Sequence, residues 1–242
     1  MNLYGLVGYP LSHSRSAELF SARFKDSINI YRLFPLSDLN DFPSLIRDNP
    51  DLFGLNITIP YKEKILPFLD DTDPEARAIG AVNTIRIIRD HHHTVLTGYN
   101  TDAEGFRRSA KLKGISNALI LGTGGAAKAV AYVLRKSGIN VLFASRNPGK
   151  PGTISYPSIT SELISRYRLI INTTPLGMAP DSDSFPDIPY LFLTPSHYLY
   201  DLSYNPEETV FLKKGKSAGA KTMNGLVMLK IQAELSYNIW NL

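Results

Sequence analysis

Cysteine is absent from this 242-residue chain, and its absence removes several kinds of chemistry at once. Disulfide bonds, thiolate metal sites and cysteine nucleophiles are all excluded. Histidine is scarce as well, with five residues, three of them adjacent at positions 91–93. An adjacent triplet lacks the spacing that metal ligands need. We therefore predict no metal site.

Long apolar runs are missing too. No stretch approaches the roughly 18 consecutive apolar residues that a membrane-spanning helix needs. Residues 1–5 lack the basic start and apolar centre of a signal peptide. No basic run is interleaved with aromatic residues, so nucleic acid is not an expected partner. These features predict a cytoplasmic protein without a membrane partner, long enough to bury a sizeable core in one or two domains.

The net charge of +4 is unevenly distributed. Residues 1–102 contain ten Lys and Arg against thirteen Asp and Glu, whereas residues 103–221 contain fifteen against eight. The basic segment has two interpretations: a generally basic surface, or a region that receives an anionic ligand.

Polar residues follow predicted strands in the first hundred residues. Predicted strands at 3–8, 31–34 and 52–59 alternate with helical patterns, which indicates an α/β layer structure. In the third strand Asn56 and Thr58 alternate with apolar residues, and Lys62 follows directly. Asn83 and Asp102 stand in similar turns further along. We interpret this recurrence as a site for a small polyhydroxylated molecule, with Asn56, Thr58 and Lys62 forming one wall.

Serines cluster at the start of the first predicted helix, residues 12–24. Hydroxyl groups and free amides at a helix N-terminus suit a carboxylate ligand. The alternative is ordinary N-capping, which needs only one of these serines.

Residues 103–221 predict short apolar strands alternating with helices, the rhythm of a parallel sheet with crossover connections. After the strand at 118–121, Gly122, Gly124 and Ala127 match the G-x-G-x-x-A dinucleotide pattern, with Gly125 and Ala126 inside the same turn. Small residues there let a pyrophosphate approach the helix N-terminus. The alternative is a plain strand-to-helix turn.

The end of the next strand predicts which dinucleotide binds. NAD-binding proteins carry an acidic residue at this point, and this chain has Ser145 and Arg146 instead, with Lys150 nearby. A guanidinium group suits a ribose phosphate, so NADP is preferred over NAD. The alternative is that Arg146 is simply a solvated residue at a strand end.

Taken together, these motifs resemble those of the shikimate dehydrogenases over nearly the whole chain. Eight segments occur in the order of that family: residues 14–16, 56–62, 80–84, 100–102, 122–125, 172–178, 204–206 and 228–233. The resemblance implies NADPH-dependent reduction of 3-dehydroshikimate to shikimate, a step of aromatic amino-acid biosynthesis, with Lys62 and Asp102 as the catalytic pair.

The resemblance also assigns the binding residues. Those expected to hold the substrate are Ser14, Ser16, Thr58, Lys62, Asn83, Asp102, Tyr204 and Gln232. Those expected around the nicotinamide are Thr173, Gly225 and Met228. One departure is Asn224, which stands where the family commonly has an acidic residue.

The expected architecture has two α/β domains with a cleft between them. Residues 1–101 and 223–242 would form the substrate domain, and residues 102–222 a doubly wound, Rossmann-type NADP domain. One rival is a quinate or dual quinate/shikimate dehydrogenase, against which Ser16 favours shikimate. Another is a non-catalytic NADPH-sensing regulatory module, which would be expected to lack Lys62 or Asp102. Only small-molecule partners are predicted, in a monomer or homodimer.

Overall fold

The computed structural model describes residues 2–11, 16–25, 27–90, 93–149 and 151–242. Within these residues the strands are β1 (Leu3–Gly8), β2 (Ile30–Pro35), β3 (Leu52–Ile57), β4 (Asp71–Thr72), β5 (Thr84–Arg89), β6 (Thr94–Tyr99), β7 (Asn117–Leu121), β8 (Asn140–Ala144), β9 (Thr153–Ile154), β10 (Leu169–Asn172), β11 (Tyr198–Asp201) and β12 (Lys221–Met223). The α-helices are α1 (Ser16–Arg23), α2 (Phe42–Asp48), α3 (Pro74–Ile79), α4 (Thr101–Ser109), α5 (Gly125–Lys136), α6 (Ser161–Arg166), α7 (Val210–Ser217) and α8 (Leu226–Trp240). The elements divide between two compact units, unit 1 (1–104 and 230–242) and unit 2 (105–229).

Unit 1 contains a mixed six-stranded sheet in the order β2-β1-β3-β5-β6-β4. Strand β1 lies parallel to both β2 and β3, and β5 runs antiparallel to β3 and to β6. Strand β3 ends at Ile57, before the predicted end at residue 59, because Thr58 and Tyr61 close a turn there through a 2.9 Å hydrogen bond. The mixed pairing is the main departure from a simple strand–helix alternation.

From Gly54 to Ile57 strand β3 is buried on both faces, whereas Phe53 near its start is exposed. One face packs Leu55 and Ile57 into an aliphatic core. The opposite face lies under α8, whose Trp240 joins an aromatic cluster with Phe20 of α1. A Cβ atom at Gly54 would lie 2.3 Å from the Trp240 indole, so only glycine allows this close approach.

Unit 2 is built on a fully parallel sheet in the order β12-β11-β10-β7-β8-β9, as the sequence predicts. The strand order reverses between β7 and β10, and open α/β sheets bind ligands beyond the carboxyl ends of strands at such a reversal. Helix α5 covers the sheet with small and branched residues such as Ala127 and Val130, which allow close packing. In the part of the chain that the structure describes, no helix has the length and apolarity to cross a membrane.

Candidate active site

Three chain segments meet at one edge of the unit 1 sheet. In the register of the strands, Asn56 lies opposite Thr84, and Thr84 lies opposite Tyr99. Because β5 is antiparallel to both of its neighbours, its beginning lies beside the ends of β3 and β6. The residues that follow β3, precede β5 and follow β6 are therefore neighbours in space, although Lys62 and Asp102 lie 40 positions apart in the chain.

Lys62 and Asp102 form an ion pair at this edge. The Lys62 Nζ lies 2.6 Å from Asp102 Oδ2, and the side chains are only 16% and 7% exposed. The main chain at Lys62 is fixed because its carbonyl accepts a hydrogen bond from the Val82 N–H at 2.8 Å. Asp102 lies in the first turn of α4, where the helix dipole favours a negative charge. A pair this shielded interacts far more strongly than a surface pair.

Asn83 and Gln232 meet beside this pair. The Asn83 Nδ2 donates to Thr101 Oγ1 at 2.9 Å and to Gln232 Oε1 at 3.3 Å, and Asn83 Oδ1 accepts the Thr101 backbone N–H at 2.7 Å. Asn83 is 3% exposed and Gln232 is half-buried. The structure thus brings together Lys62, Asp102, Asn83 and Gln232, which the sequence placed up to 170 positions apart. It adds Thr101, which sequence reasoning did not single out.

Asn56 is turned inward, contrary to the expectation that it forms a pocket wall. Its Oδ1 accepts from the Tyr31 hydroxyl at 2.9 Å, and its Nδ2 donates to Ser236 Oγ at 2.9 Å and Thr84 Oγ1 at 3.2 Å. The side chain lies on the face of β3 that α8 covers. Since both ends of the amide are engaged inside unit 1, Asn56 supports the site from beneath.

The remaining predicted residues of unit 1 are described in part. Thr58 is half-buried immediately after β3, and its N–H donates to the Val7 carbonyl at 2.9 Å. Ser16 is buried at the start of α1. Ser14 lies outside the described residues, so its role as a carboxylate ligand stays a prediction.

In unit 2 the glycine turn lies at the strand-order reversal. Gly122 has a φ of +103°, a conformation that favours glycine, and a Cβ there would lie 2.8 Å from Thr173 Oγ1. Gly124 caps α5 without a side chain, and a Cβ there would meet no atom within 4 Å. The first amides of a helix have no intrahelical acceptor. The N–H groups of Gly125, Ala126 and Ala127 can therefore face a phosphate across open space.

Thr173 directly follows β10, the strand next to β7. Its hydroxyl and its N–H both donate to the Leu121 carbonyl, at 2.7 and 3.0 Å. This double contact fixes Thr173 against the glycine turn, and its contact with the cofactor stays a prediction.

Ser145 and Arg146 follow β8, on the other side of β7. Arg146 is exposed, and its charge lowers the pKa of the Tyr156 phenol, although burial of that phenol raises its pKa by more. The guanidinium group therefore lies near Tyr156 at the carboxyl end of the strand. Lys150, predicted to assist it, lies outside the described residues.

The remaining predicted residues of unit 2 follow β11 and β12: Tyr204 for the substrate, and Gly225 and Met228 for the cofactor. A Cβ at Gly225 would come within 2.1 Å of the Leu202 carbonyl oxygen, so this close approach requires glycine. Met228 is buried in the first turn of α8, and Tyr204 is half-buried in the loop after β11. Asn224 lies just before α8, where its side chain accepts the Leu226 N–H at 3.2 Å and donates to the Glu207 carbonyl at 2.8 Å. It thus has a capping role that an acidic residue could only partly fill.

A buried carboxylate in unit 2 was missed by sequence reasoning. Asp201 is fully buried at the end of β11 and accepts hydrogen bonds from Thr209 Oγ1 (2.7 Å), the Ser203 N–H (2.9 Å) and Asn172 Nδ2 (3.1 Å). Burial raises the pKa of Asp201 from 3.8 to about 6, although these three bonds act to lower it. The Asn172–Asp201 contact joins the loop after β10 to the loop after β11. No local pattern around Asp201 distinguishes it from an ordinary strand-end aspartate.

Comparisons with known proteins identify the family of the chain. Residues 6–85 match the family model described as "Shikimate dehydrogenase substrate binding domain". A "Shikimate dehydrogenase (NADP(+))" of Carboxydothermus hydrogenoformans is 39% identical, over 98% of this chain and 91% of the relative. The crystal structure of shikimate dehydrogenase 1 from Peptoclostridium difficile is 38% identical, with a TM-score of 0.84 over 100% of this chain and 92% of that one. The Thermus thermophilus enzyme, solved in complex with NADP(H) and shikimate, is 32% identical, with a TM-score of 0.84 over 99% and 93%. With these identities over nearly its whole length, the chain belongs to the shikimate dehydrogenase family.

Proposed function

We propose that this protein catalyses the NADPH-dependent reduction of 3-dehydroshikimate to shikimate, and the reverse oxidation. The observation that carries the proposal is the shielded Lys62–Asp102 pair at 2.6 Å, in the unit that contains the matched substrate-binding family segment. The relatives at 36–39% identity bear the name of this activity.

Lys62 is the proposed proton donor. When bound, NADPH supplies the hydride that reduces the ketone carbon. The oxygen of that ketone then gains negative charge and needs a proton, which an ammonium group within hydrogen-bonding distance can stabilise and deliver. Asp102 keeps the Lys62 ammonium in place. In the oxidation direction the same proton moves from the substrate hydroxyl to Lys62.

Ring hydroxyls are the proposed ligands of Asn83, Gln232, Thr58 and Asp102. A side-chain amide can donate to or accept from a hydroxyl, a carboxylate accepts from one, and the two together suit a ring with several hydroxyl groups. Asn83 and Gln232 are already fixed by contact with each other at 3.3 Å, so little order has to be gained when the ring binds. Ser14, Ser16 and Tyr204 are proposed for the ring carboxylate.

The cofactor chemistry fits unit 2. The α5 N-terminus behind the glycine turn has no side-chain cap and suits a pyrophosphate, and Arg146 suits the ribose phosphate of NADP. Thr173, Gly225 and Met228 are proposed around the nicotinamide end. We propose small molecules as the only partners, cytoplasmic location, and a monomer or homodimer.

Steady-state assays that cross shikimate and quinate with NADP and NAD test this function. We expect the highest kcat/KM for shikimate with NADP. Equal or better turnover of quinate with NAD would assign the protein to the rival quinate dehydrogenases. Binding of NADPH without turnover of either substrate would favour the regulatory module.

Replacing Arg146 with alanine tests the cofactor preference. We expect KM for NADP to rise about 10- to 100-fold while KM for NAD stays the same, because charge-assisted hydrogen bonds contribute about 1.5–3 kcal/mol. Arg135→Ala is the matched control, since Arg135 is an exposed arginine in the last turn of α5. An equal rise in KM for both dinucleotides would show that Arg146 does not contact the phosphate that distinguishes them.

A further inference from the structure

We propose that Ser236 is a positioning residue for the shikimate ring, acting through Gln232 and Asn83. Ser236 is fully buried on α8, one turn after Gln232. Residues four apart lie on the same face of a helix, so both side chains point toward the edge of the unit 1 sheet. This inference rests on the proposed function and deepens it by naming what holds the ring-binding side chains in place.

The Ser236 hydroxyl is the meeting point of three chain segments. It lies 2.9 Å from Asn56 Nδ2 on β3, 2.8 Å from Thr84 Oγ1 on β5 and 3.3 Å from Thr101 Oγ1 at the start of α4. It also donates to the Gln232 carbonyl at 2.9 Å. One small group on α8 thus contacts all three segments that carry Lys62, Asn83 and Asp102.

These contacts fix how α8 is rotated and shifted against the sheet edge. Gln232 Oε1 receives its bonds from Asn83 and Thr101 at 3.3 Å each, a distance that leaves little room for displacement. If the Ser236 hydroxyl is removed, Asn56 and Thr84 lose a partner, and the helix is free to shift relative to both. The hydrogen bond between Asn83 and Gln232 would then lengthen, and both side chains would be held less firmly in the position that binds the ring hydroxyls.

A purely structural role would look different. In that case loss of the hydroxyl would lower the stability of unit 1 and leave the affinity for shikimate unchanged in the folded protein. A positioning role instead couples Ser236 to Gln232, and a double-mutant cycle measures that coupling.

The experiment uses the full chain in four forms: wild type, Ser236→Ala, Gln232→Ala and the double variant. For each, KM and kcat are measured with shikimate and NADP, and the dissociation constant of each ligand is measured by titration calorimetry. We expect Ser236→Ala to weaken shikimate binding about 3- to 10-fold, the effect of one or two hydrogen bonds. The KM for NADP should not change, and Ser236→Ala should have little further effect once Gln232 is absent.

The matched control is Ser109→Ala. Ser109 is also buried, also bonds the carbonyl four residues back (Gly105, 2.8 Å) and also holds a buried side chain, the Tyr200 hydroxyl at 2.7 Å. Ser109 belongs to unit 2 and to neither proposed ligand set. We therefore expect the Ser109→Ala variant to be less stable than wild type but to bind shikimate with the same affinity. If Ser236→Ala does not fold, Ser236→Cys keeps the size of the side chain and weakens its hydrogen bonds.

Three results would overturn the proposal: unchanged shikimate affinity in a folded Ser236 variant, equal losses for shikimate and NADP, or fully additive effects of the two substitutions. Failure of the proposed function is distinguishable from these, because it would appear as absent turnover in the wild-type protein.

Discussion

Replacing Lys62 with alanine is expected to lower kcat for shikimate oxidation by about 10³-fold, the middle of the range for losing a general acid–base group and its charge. Shikimate and NADP should still bind, because the other proposed contacts remain. The variant leaves Asp102, only 7% exposed, without its cation, so thermal unfolding must first establish that the protein is folded. Single-turnover kinetics with both ligands saturating then report the chemical step itself.

Lys64→Ala is the control for this substitution. Lys64 is an exposed lysine two residues away, and its removal changes the net charge by the same amount. We expect kcat near the wild-type value for Lys64→Ala. Retention of more than about a tenth of wild-type kcat by Lys62→Ala would fall below the usual range for a general acid and would contradict the assigned role.

Replacing Asp201 with asparagine should change how stability depends on pH. The folded-state pKa of about 6 lies above the ordinary 3.8, so between these values the folded protein binds the proton more tightly than the unfolded chain does. Ionised Asp201 therefore lowers the free energy of unfolding as the pH rises through this window. A difference of about two pKa units corresponds to about 3 kcal/mol. The asparagine variant should gain about this much relative to wild type between pH 4 and pH 7.

Urea unfolding of both proteins at several pH values between 4 and 7 measures this gain. Subtracting the two curves removes the titrations that the proteins share. Asp183→Asn, at an exposed position in the same unit, should give a curve parallel to wild type. Parallel curves for Asp201→Asn as well would show that Asp201 titrates alike in the folded and unfolded states.

Much of unit 2 could be predicted because its signals are local. A glycine that needs a positive φ, a short apolar strand and an amphipathic helix each leave a mark within about ten residues. Gly122, α5 and the four central strands of the sheet lie where the sequence predicts them, whereas the short edge strands β9 and β12 were not predicted. Arg146 was identifiable for the same reason, since its position after a strand is a local property.

The strand arrangement of unit 1 was harder to predict from the sequence. Strands β5 and β6 were not predicted, and their antiparallel pairing is what brings Lys62 and Asp102 together. The inward orientation of Asn56 was unpredictable for the same reason, because its hydrogen-bond partner Ser236 lies 180 positions away in the chain. A local pattern reveals that a polar group is present but not whether it faces a ligand or another side chain. Family resemblance supplied the pairing that physical pattern alone left open.

The β5–β6 ladder separates two ends of the sheet: the far tip, whose length can vary, and the edge that carries the reacting pair Lys62 and Asp102. Each strand has six residues, so Arg89 and Thr94, at the far end of the ladder, lie about 17–20 Å along the strands from the Lys62–Asp102 edge. Backbone hydrogen bonds along the ladder, rather than the number of residues between Arg89 and Thr94, set the spacing of the ion pair. Inserting or deleting residues at this far tip should therefore leave the reacting groups at the same distance. The same tip is a natural attachment point for a spectroscopic label or an affinity tag.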